Sequence, residues 1–237
     1  MTQDPYAAPQ SNIQDSPSGP GSPGTGTFDI GLAMSDGWKN TISNLGPVLG
    51  VTFVGLIVSS LMYVTIIGIF LGIPVLAWGA SKFLLNTHDG RCDFGDLFSG
   101  FSNYGHILGR MLLFMLLMLV IFVVGASIQY IGMFMESPGI TLIGSLINLV
   151  FQLIVGVRLL WAGFYVVDRD LAPMDAVKAS WSATQGNWLK LFLLSLMMVV
   201  VTFLGLLALI VGIFVAIPVT QFMSVSSYRQ CTGTPAS

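Results

Sequence analysis

From Asn40 to Ser81, and again from Leu191 to Tyr228, the chain carries no Asp, Glu, Lys or Arg; two shorter charge-free runs, Met111 to Met135 and Ser137 to Val157, lie between them. A helix needs roughly 20 apolar residues to cross the hydrocarbon of a bilayer. The first and last runs are each long enough to cross twice. Backbone facing lipid must satisfy its own hydrogen bonds, so the spanning elements are helical. These lengths predict six helices, at about 46–66, 68–86, 107–131, 140–166, 190–209 and 211–229. At 54% hydrophobic and 8% charged residues, with a mean hydropathy of +0.82, the membrane class is the one that fits. The expected fold is an all-α polytopic bundle over residues 28–229, followed by a short cytoplasmic tail at 230–237.

The basic residues set the expected orientation. Lys39, Lys82, Arg91, Arg110, Arg169, Lys178, Lys190 and Arg229 fall in the N-terminal segment, the 87–106 and 167–189 loops, the C-terminus or the helix ends beside them. The opposite loops contain no Lys or Arg, so the positive-inside rule places both termini in the cytoplasm. Glu136 is the charge expected outside. The net charge of −2 speaks against nucleic acid, whose partners carry a basic face. Cys92 and Cys231 both fall on the cytoplasmic side without the neighbours of a zinc motif, which argues against a disulfide. Residues 1–27 are rich in Pro, Gly, Ser and Gln and lack an apolar core, the composition of a disordered tail. They have no basic segment followed by an apolar one, so they are not read as a secretory signal.

A short stretch is written twice. GIFLGIP at Gly68–Pro74 returns as GIFVAIP at Gly212–Pro218, 144 residues later, and Trp38, Thr41 and Asn44 return as Trp181, Thr184 and Asn187 at a spacing of 143. This pattern predicts a duplicated unit made of one segment before the membrane and one helical hairpin. Two crossings per unit make the repeats parallel, unlike the inverted repeats of many transporters. Aligning the middle segment with the other two puts Arg158 at the proline position. Pro74 and Pro218 each remove a backbone donor and free a carbonyl about one turn earlier, and glycines nearby permit close helix approach. The segments before the membrane carry apolar residues three and four apart. In the first these are Ile30, Met34, Trp38, Ile42 and Leu45; in the second, Met174, Val177, Trp181 and Trp188; and Phe94, Leu97, Phe98 and Phe101 make a third. They predict amphipathic helices that either lie flat in the cytoplasmic interface, with Trp38, Phe98, Phe101, Trp181 and Trp188 at the lipid boundary, or pack against the bundle.

Arg158 is the one basic residue well inside a predicted crossing, roughly 13 Å from its cytoplasmic end. Burying it costs about 3 kcal/mol on insertion scales, so it should face the bundle or snorkel. Donation to carbonyls freed near Pro74 and Pro218, with Gln129 and Gln152 as polar neighbours, is the bundle-facing alternative. The loop from Thr87 to His106 holds His88, Asp89, Cys92, Asp93, Asp96 and His106, residue types that bind metals, but at no recognised ligand spacing. Asp93 equally suits a helix cap. No metal, cofactor or catalytic residue is assigned. The sequence has no HExxH, GxSxG or P-loop and no pair of intramembrane carboxylates.

From Val157 the chain reads VRLLWAGFYVVDRDLAPMDAVKASWSATQGNWLKLF. In Arg158, Asp168, Pro173, Ala176, Ser180, Trp181, Gly186 and Asn187 this resembles uncharacterised bacterial multi-pass membrane proteins and the membrane region attached to some glycerophosphodiester phosphodiesterases. DLFSGF, Asp96 to Phe101, is similar to a loop motif of related families. The resemblance implies a six-helix bundle with cytoplasmic interfacial helices in the bacterial inner membrane, and no established activity. No phosphodiesterase catalytic domain is read in these residues, so that activity is not implied. The expected function is that of a non-enzymatic membrane component for interaction or envelope maintenance. Its expected partners are membrane lipids and a protein or second copy. The alternative is a small transporter or channel with a site near Pro74, Pro218 and Arg158.

Overall fold

The computed structural model describes residues 28–65 and 67–233. Every element among them is helical. The α-helices are α1 (Ile30–Ser43), α2 (Leu45–Tyr63), α3 (Ile73–His88), α4 (Tyr104–Phe134), α5 (Pro138–Arg158), α6 (Ala162–Asp168), α7 (Pro173–Ala183), α8 (Trp188–Leu207) and α9 (Leu209–Thr232). A π-helical segment, Gly68–Gly72, leads into α3, and a 3₁₀ helix, Phe94–Phe101, precedes α4. The expected disordered tail at 1–27 lies outside the described residues.

Among the described residues five helical stretches are long and apolar enough to cross a membrane: Leu45–Tyr63, Gly68–His88, Tyr104–Ser127, Pro138–Asp168 and Trp188–Leu207. They make this an integral membrane protein. The sixth expected span coincides with α9, which has a different character. Its second half is buried and brings Ser224, Ser226, Ser227, Tyr228 and Arg229 into the protein interior. A helix surrounded by protein can carry polar groups that lipid would exclude, because neighbouring helices supply the hydrogen bonds. α9 fills that role by packing against α1, α8, α2 and α3.

The crossing expected as one helix from 140 to 166 is broken. α5 ends at Arg158, and α6 starts at Ala162 after a turn in which Ala162 N–H donates to Leu159 O at 3.0 Å. The break frees the Arg158 carbonyl, and the Ser180 hydroxyl donates to it at 2.8 Å. The two prolines are treated differently. Pro74 sits in the first turn of α3, where its missing N–H costs little, and the π segment before it absorbs the change of register. The Tyr104 hydroxyl donates to the Leu71 carbonyl there at 3.0 Å. Pro218 lies inside α9, and Thr220 Oγ1 donates to Ile217 O beside it at 2.9 Å.

Each short helix docks against a neighbouring helix: α1 on α9, the 3₁₀ helix on α3, and α7 on α6. Small side chains make the contact. The buried face of α1 is Ala33, Gly37 and Thr41, and the buried face of α7 is Ala176 and Ser180, with Thr184 capping its end. A Cβ on Gly37 would stand 2.8 Å from the Val219 carbonyl, and one on Gly100 would stand 2.5 Å from the Val75 carbonyl. Such spacing is below any real Cβ contact, so the absence of a side chain is what lets these helices lie directly on their neighbours' backbones. The aromatic members of the stripes mostly turn the other way, while Leu97, Ile30 and Met34 pack inward. Trp38 is 56% exposed and Trp181 41%, while Phe94, Phe98, Phe101 and Tyr104 form an outward row with ring centroids 6.1–6.5 Å apart. Trp188 instead packs partly inside, stacked on Phe192 at 5.7 Å.

Candidate functional site

The densest polar chemistry gathers where α1, α3, α6 and α9 converge at the end of the bundle that bears the short helices. Arg229, in the last turns of α9, is 3% exposed. Its guanidinium grips Asp89 at the end of α3 with two bonds, Nε to Oδ1 at 3.1 Å and Nη2 to Oδ2 at 2.7 Å. Its Nη1 donates to Asp168 Oδ2 at the end of α6, also at 2.7 Å. The planar fork of arginine suits this two-sided grip, which a lysine cannot make. Tyr228 donates its hydroxyl to the same Asp168 oxygen at 2.8 Å, and its ring is enclosed by Trp161, Phe164 and Tyr165 at 5.1–6.3 Å.

A second layer extends the cluster to α1. His88 lies between two acids, its Nδ1 3.5 Å from Asp89 Oδ1 and its Nε2 3.9 Å from Asp36 Oδ2. Ser226 donates to Asp36 Oδ2 at 2.7 Å. Gln230 accepts from the Asp29 N–H at 2.8 Å, and Lys190 donates to the Phe28 carbonyl at 3.1 Å. The electrostatics agree with the geometry. The His88 imidazole holds the Asp36 carboxyl below the usual carboxylate range, against burial and with help from the Ser226 hydroxyl. Burial opposes ionisation of Asp89, but His88 and Arg229 outweigh it and keep this carboxyl low as well. Close by, burial pushes the Cys231 thiol up to about 11, which leaves it protonated and unreactive. This arrangement is a clamp: the guanidinium is committed to two carboxylates and joins three helix ends.

The sequence-predicted residues are dispersed around this centre. Arg158 does not reach Pro74 or Pro218. It ends α5, where a cation meets the negative end of the helix dipole, donates to the Trp181 carbonyl at 3.5 Å and lies with its guanidinium carbon 5.3 Å from the centre of that indole. Gln129 and Gln152 belong instead to a ladder between α4 and α5, in which Asn148 donates to Gln129 at 3.1 Å and Gln152 donates to Asn148 at 3.5 Å. Of the loop with metal-binding residue types, His88 and Asp89 join the clamp and Asp96 accepts from Asn86 at 2.8 Å. Asp93 caps the 3₁₀ helix by accepting from Gly95 N–H at 2.8 Å. Among the described residues no three His, Cys, Asp or Glu side chains are grouped to hold a metal. Sequence reasoning passed over Arg229, Tyr228 and Asp36. The signal was a cluster of hydroxyl-bearing residues, Ser224, Ser226, Ser227 and Tyr228, leading to an arginine in the last two turns of a largely apolar helix.

Comparison with known proteins places the chain only loosely. No protein family matches it, and no solved structure does. It is 33% identical over 94 residues to the uncharacterized protein Rv2560 of Mycobacterium tuberculosis, and equally so to the uncharacterized protein Mb2590 of Mycobacterium bovis. These matches cover 40% of this chain and 29% of the length of the mycobacterial proteins. These matches show similarity to uncharacterized proteins and no link to the membrane region of glycerophosphodiester phosphodiesterases.

Replacing Arg229 with Met strands Asp89 and Asp168 in the interior. Thermal unfolding in detergent is expected to show a loss of about 3–5 kcal/mol, the usual cost of removing one partner of a buried pair. Acid should act on the same contacts from the other side. Carboxyls held low in the fold stabilise it above their unfolded pKa of about 4 and release that stability as pH falls through the folded values. The wild-type unfolding midpoint should thus drop below about pH 4, and Asp36→Asn should lessen the drop.

Proposed function

We propose that the protein is a non-enzymatic component of the bacterial inner membrane, a membrane-embedded platform for interaction or envelope maintenance whose short helices lie in the cytoplasmic interface. The observation that carries this reading is the two-sidedness of α1, the 3₁₀ helix and α7. α1 and α7 turn small residues onto the bundle, the 3₁₀ helix turns Leu97 and Gly100 onto it, and all three hold aromatic residues outward. An exposed Trp or Phe row is costly in water and suited to the headgroup boundary. The clamp adds to it by tying α1 to the ends of the spanning helices, so that the outward aromatics are held in fixed positions.

In this reading there are six crossings in three parallel units, α9 supplying the sixth, with both termini in the cytoplasm. Two spacings support the duplication. Val75 and Val219, whose carbonyls receive the docked helices at Gly100 and Gly37, are 144 residues apart, the same offset as the repeated heptapeptide. In the middle unit the Arg158 carbonyl receives Ser180, one residue from the position the alignment expects. The transport alternative has less behind it, since Arg158 is engaged with Trp181 on α7 and not with the prolines.

Cysteine labelling in intact cells tests the orientation. In a Cys92→Ser background, Glu136→Cys should react with an impermeant maleimide from outside and Lys178→Cys only after lysis; reversal of the two patterns overturns the topology. A second measurement tests the role. Vesicles containing the purified protein should release entrapped potassium and carboxyfluorescein no faster than empty ones, and a faster release would favour the channel reading.

A further inference from the structure

A cavity of about 380 Å³ opens between α2, α3 and α9. One wall is a complete helical stripe on α2, Val48, Val51, Thr52, Gly55, Leu56 and Ser59, at offsets of 0, 3, 4, 7, 8 and 11. The facing wall repeats those offsets on α3 with Ile73, Leu76, Ala77, Ala80, Ser81 and Leu84. Pro218 and Gln221 of α9 line the back, and Leu97 closes one end. Small residues facing one another normally bring membrane helices into contact. Here the contact is partial: Val48, Val51 and Leu76 pack with Phe83, Leu97 and Phe222, but beside them a Cβ built on Gly55 meets nothing within 4 Å. The unfilled space beside Gly55 forfeits dispersion contacts along its walls, and the cavity there leaves room for an apolar occupant.

The dimensions say what. Eleven residues of helix make a slot roughly 16 Å long, running along the axes of two membrane-spanning helices. That is about half of the roughly 30 Å hydrocarbon thickness, the depth of one leaflet and so the reach of one lipid tail. Its mouth is continuous with the lipid-facing side of α2. Leu56 lines the slot and is itself 43% exposed, and Phe53, Ile57 and Leu61 continue the same outward surface at 46–67% exposure. The walls are overwhelmingly apolar, and the hydroxyls of Thr52, Ser59 and Ser81 are turned back onto their own helices, donating to Val48, Gly55 and Ala77 carbonyls. No charged side chain lines it.

We infer that this slot holds one acyl chain of a phospholipid from the leaflet on the side of the short helices, seated between α2 and α3 as a structural or regulatory lipid. The inference rests on membrane embedding and not on the proposed platform role. Filling the slot tests it without disturbing the fold, because the Gly55 position is open. Wild-type protein, Gly55→Leu and Ala80→Leu would be reconstituted in phosphatidylethanolamine–phosphatidylglycerol vesicles, re-extracted in mild detergent and weighed intact by native mass spectrometry. Wild type should retain one phospholipid per chain, and both variants should lose it at least tenfold, Gly55→Leu while keeping the wild-type unfolding midpoint. Leu149→Phe, on the exposed side of α5, should retain it. A wild-type protein that emerges lipid-free, variants that keep the lipid, or a lipid-free dimer dispersed by Gly55→Leu would overturn the inference, the last by giving the slot to a second copy. The vesicle-release and labelling results stand apart from each of these outcomes.

Discussion

The grip of Arg229 on Asp89 and Asp168 is the contact on which the arrangement of this bundle depends. Each of these side chains is less than 8% exposed. Taking such ions out of water costs several kcal/mol apiece, and only full pairing with good geometry offsets it. The bidentate bond to Asp89 and the third bond to Asp168 supply that pairing. A hydrophobic slab lets helices slide and rotate with little penalty, because lipid is as apolar as Leu. The ion cluster removes that freedom by giving α3, α6 and α9 one register in which every charge is met. Asp36, reached through Ser226 and His88, extends the same constraint to α1.

The second organising feature is the exchange of faces on the short helices. Hydrophobicity alone would bury Trp38 and Ile42 and leave Gly37 and Thr41 outside. The opposite holds, because the protein is surrounded by an apolar solvent whose boundary accepts aromatic rings, and because close backbone approach stabilises more than bulky side chains do when there is no water to expel. Gly37 on the Val219 carbonyl and Gly100 on the Val75 carbonyl are two instances of one solution. Ser180 on the Arg158 carbonyl is a third, in which a hydroxyl replaces the missing side chain and also satisfies the acceptor freed by the broken helix.

Much of this was legible in the residues. The charge-free runs located the long helices to within a few positions, and the three- and four-residue spacing of apolar side chains located α1, the 3₁₀ helix and α7. The π segment before Pro74 and the turn after Arg158 were not legible, since both are local departures from helix that depend on partners elsewhere: the hydroxyls of Tyr104 and Ser180. Arg158 drew attention as an isolated cation in an oily stretch, yet the break in its helix gives it a place on Trp181. Arg229 drew none, because a basic residue at the end of a crossing looks like an ordinary orientation signal.

Solvent explains the division. An unbroken apolar run has one stable fate in a bilayer, a helix that satisfies its own backbone, so composition and period alone determined the class, the helical elements and which stretches meet lipid. Polar residues have many possible partners, and the sequence does not rank them. Asp89 and Arg229 are 140 positions apart, and Asp168 lies 61 from the same arginine; only the packing of three helix ends brings them within bonding distance. Tertiary structure therefore decided which charges are buried, which face of each short helix turns inward, and where a slot is left open between α2 and α3.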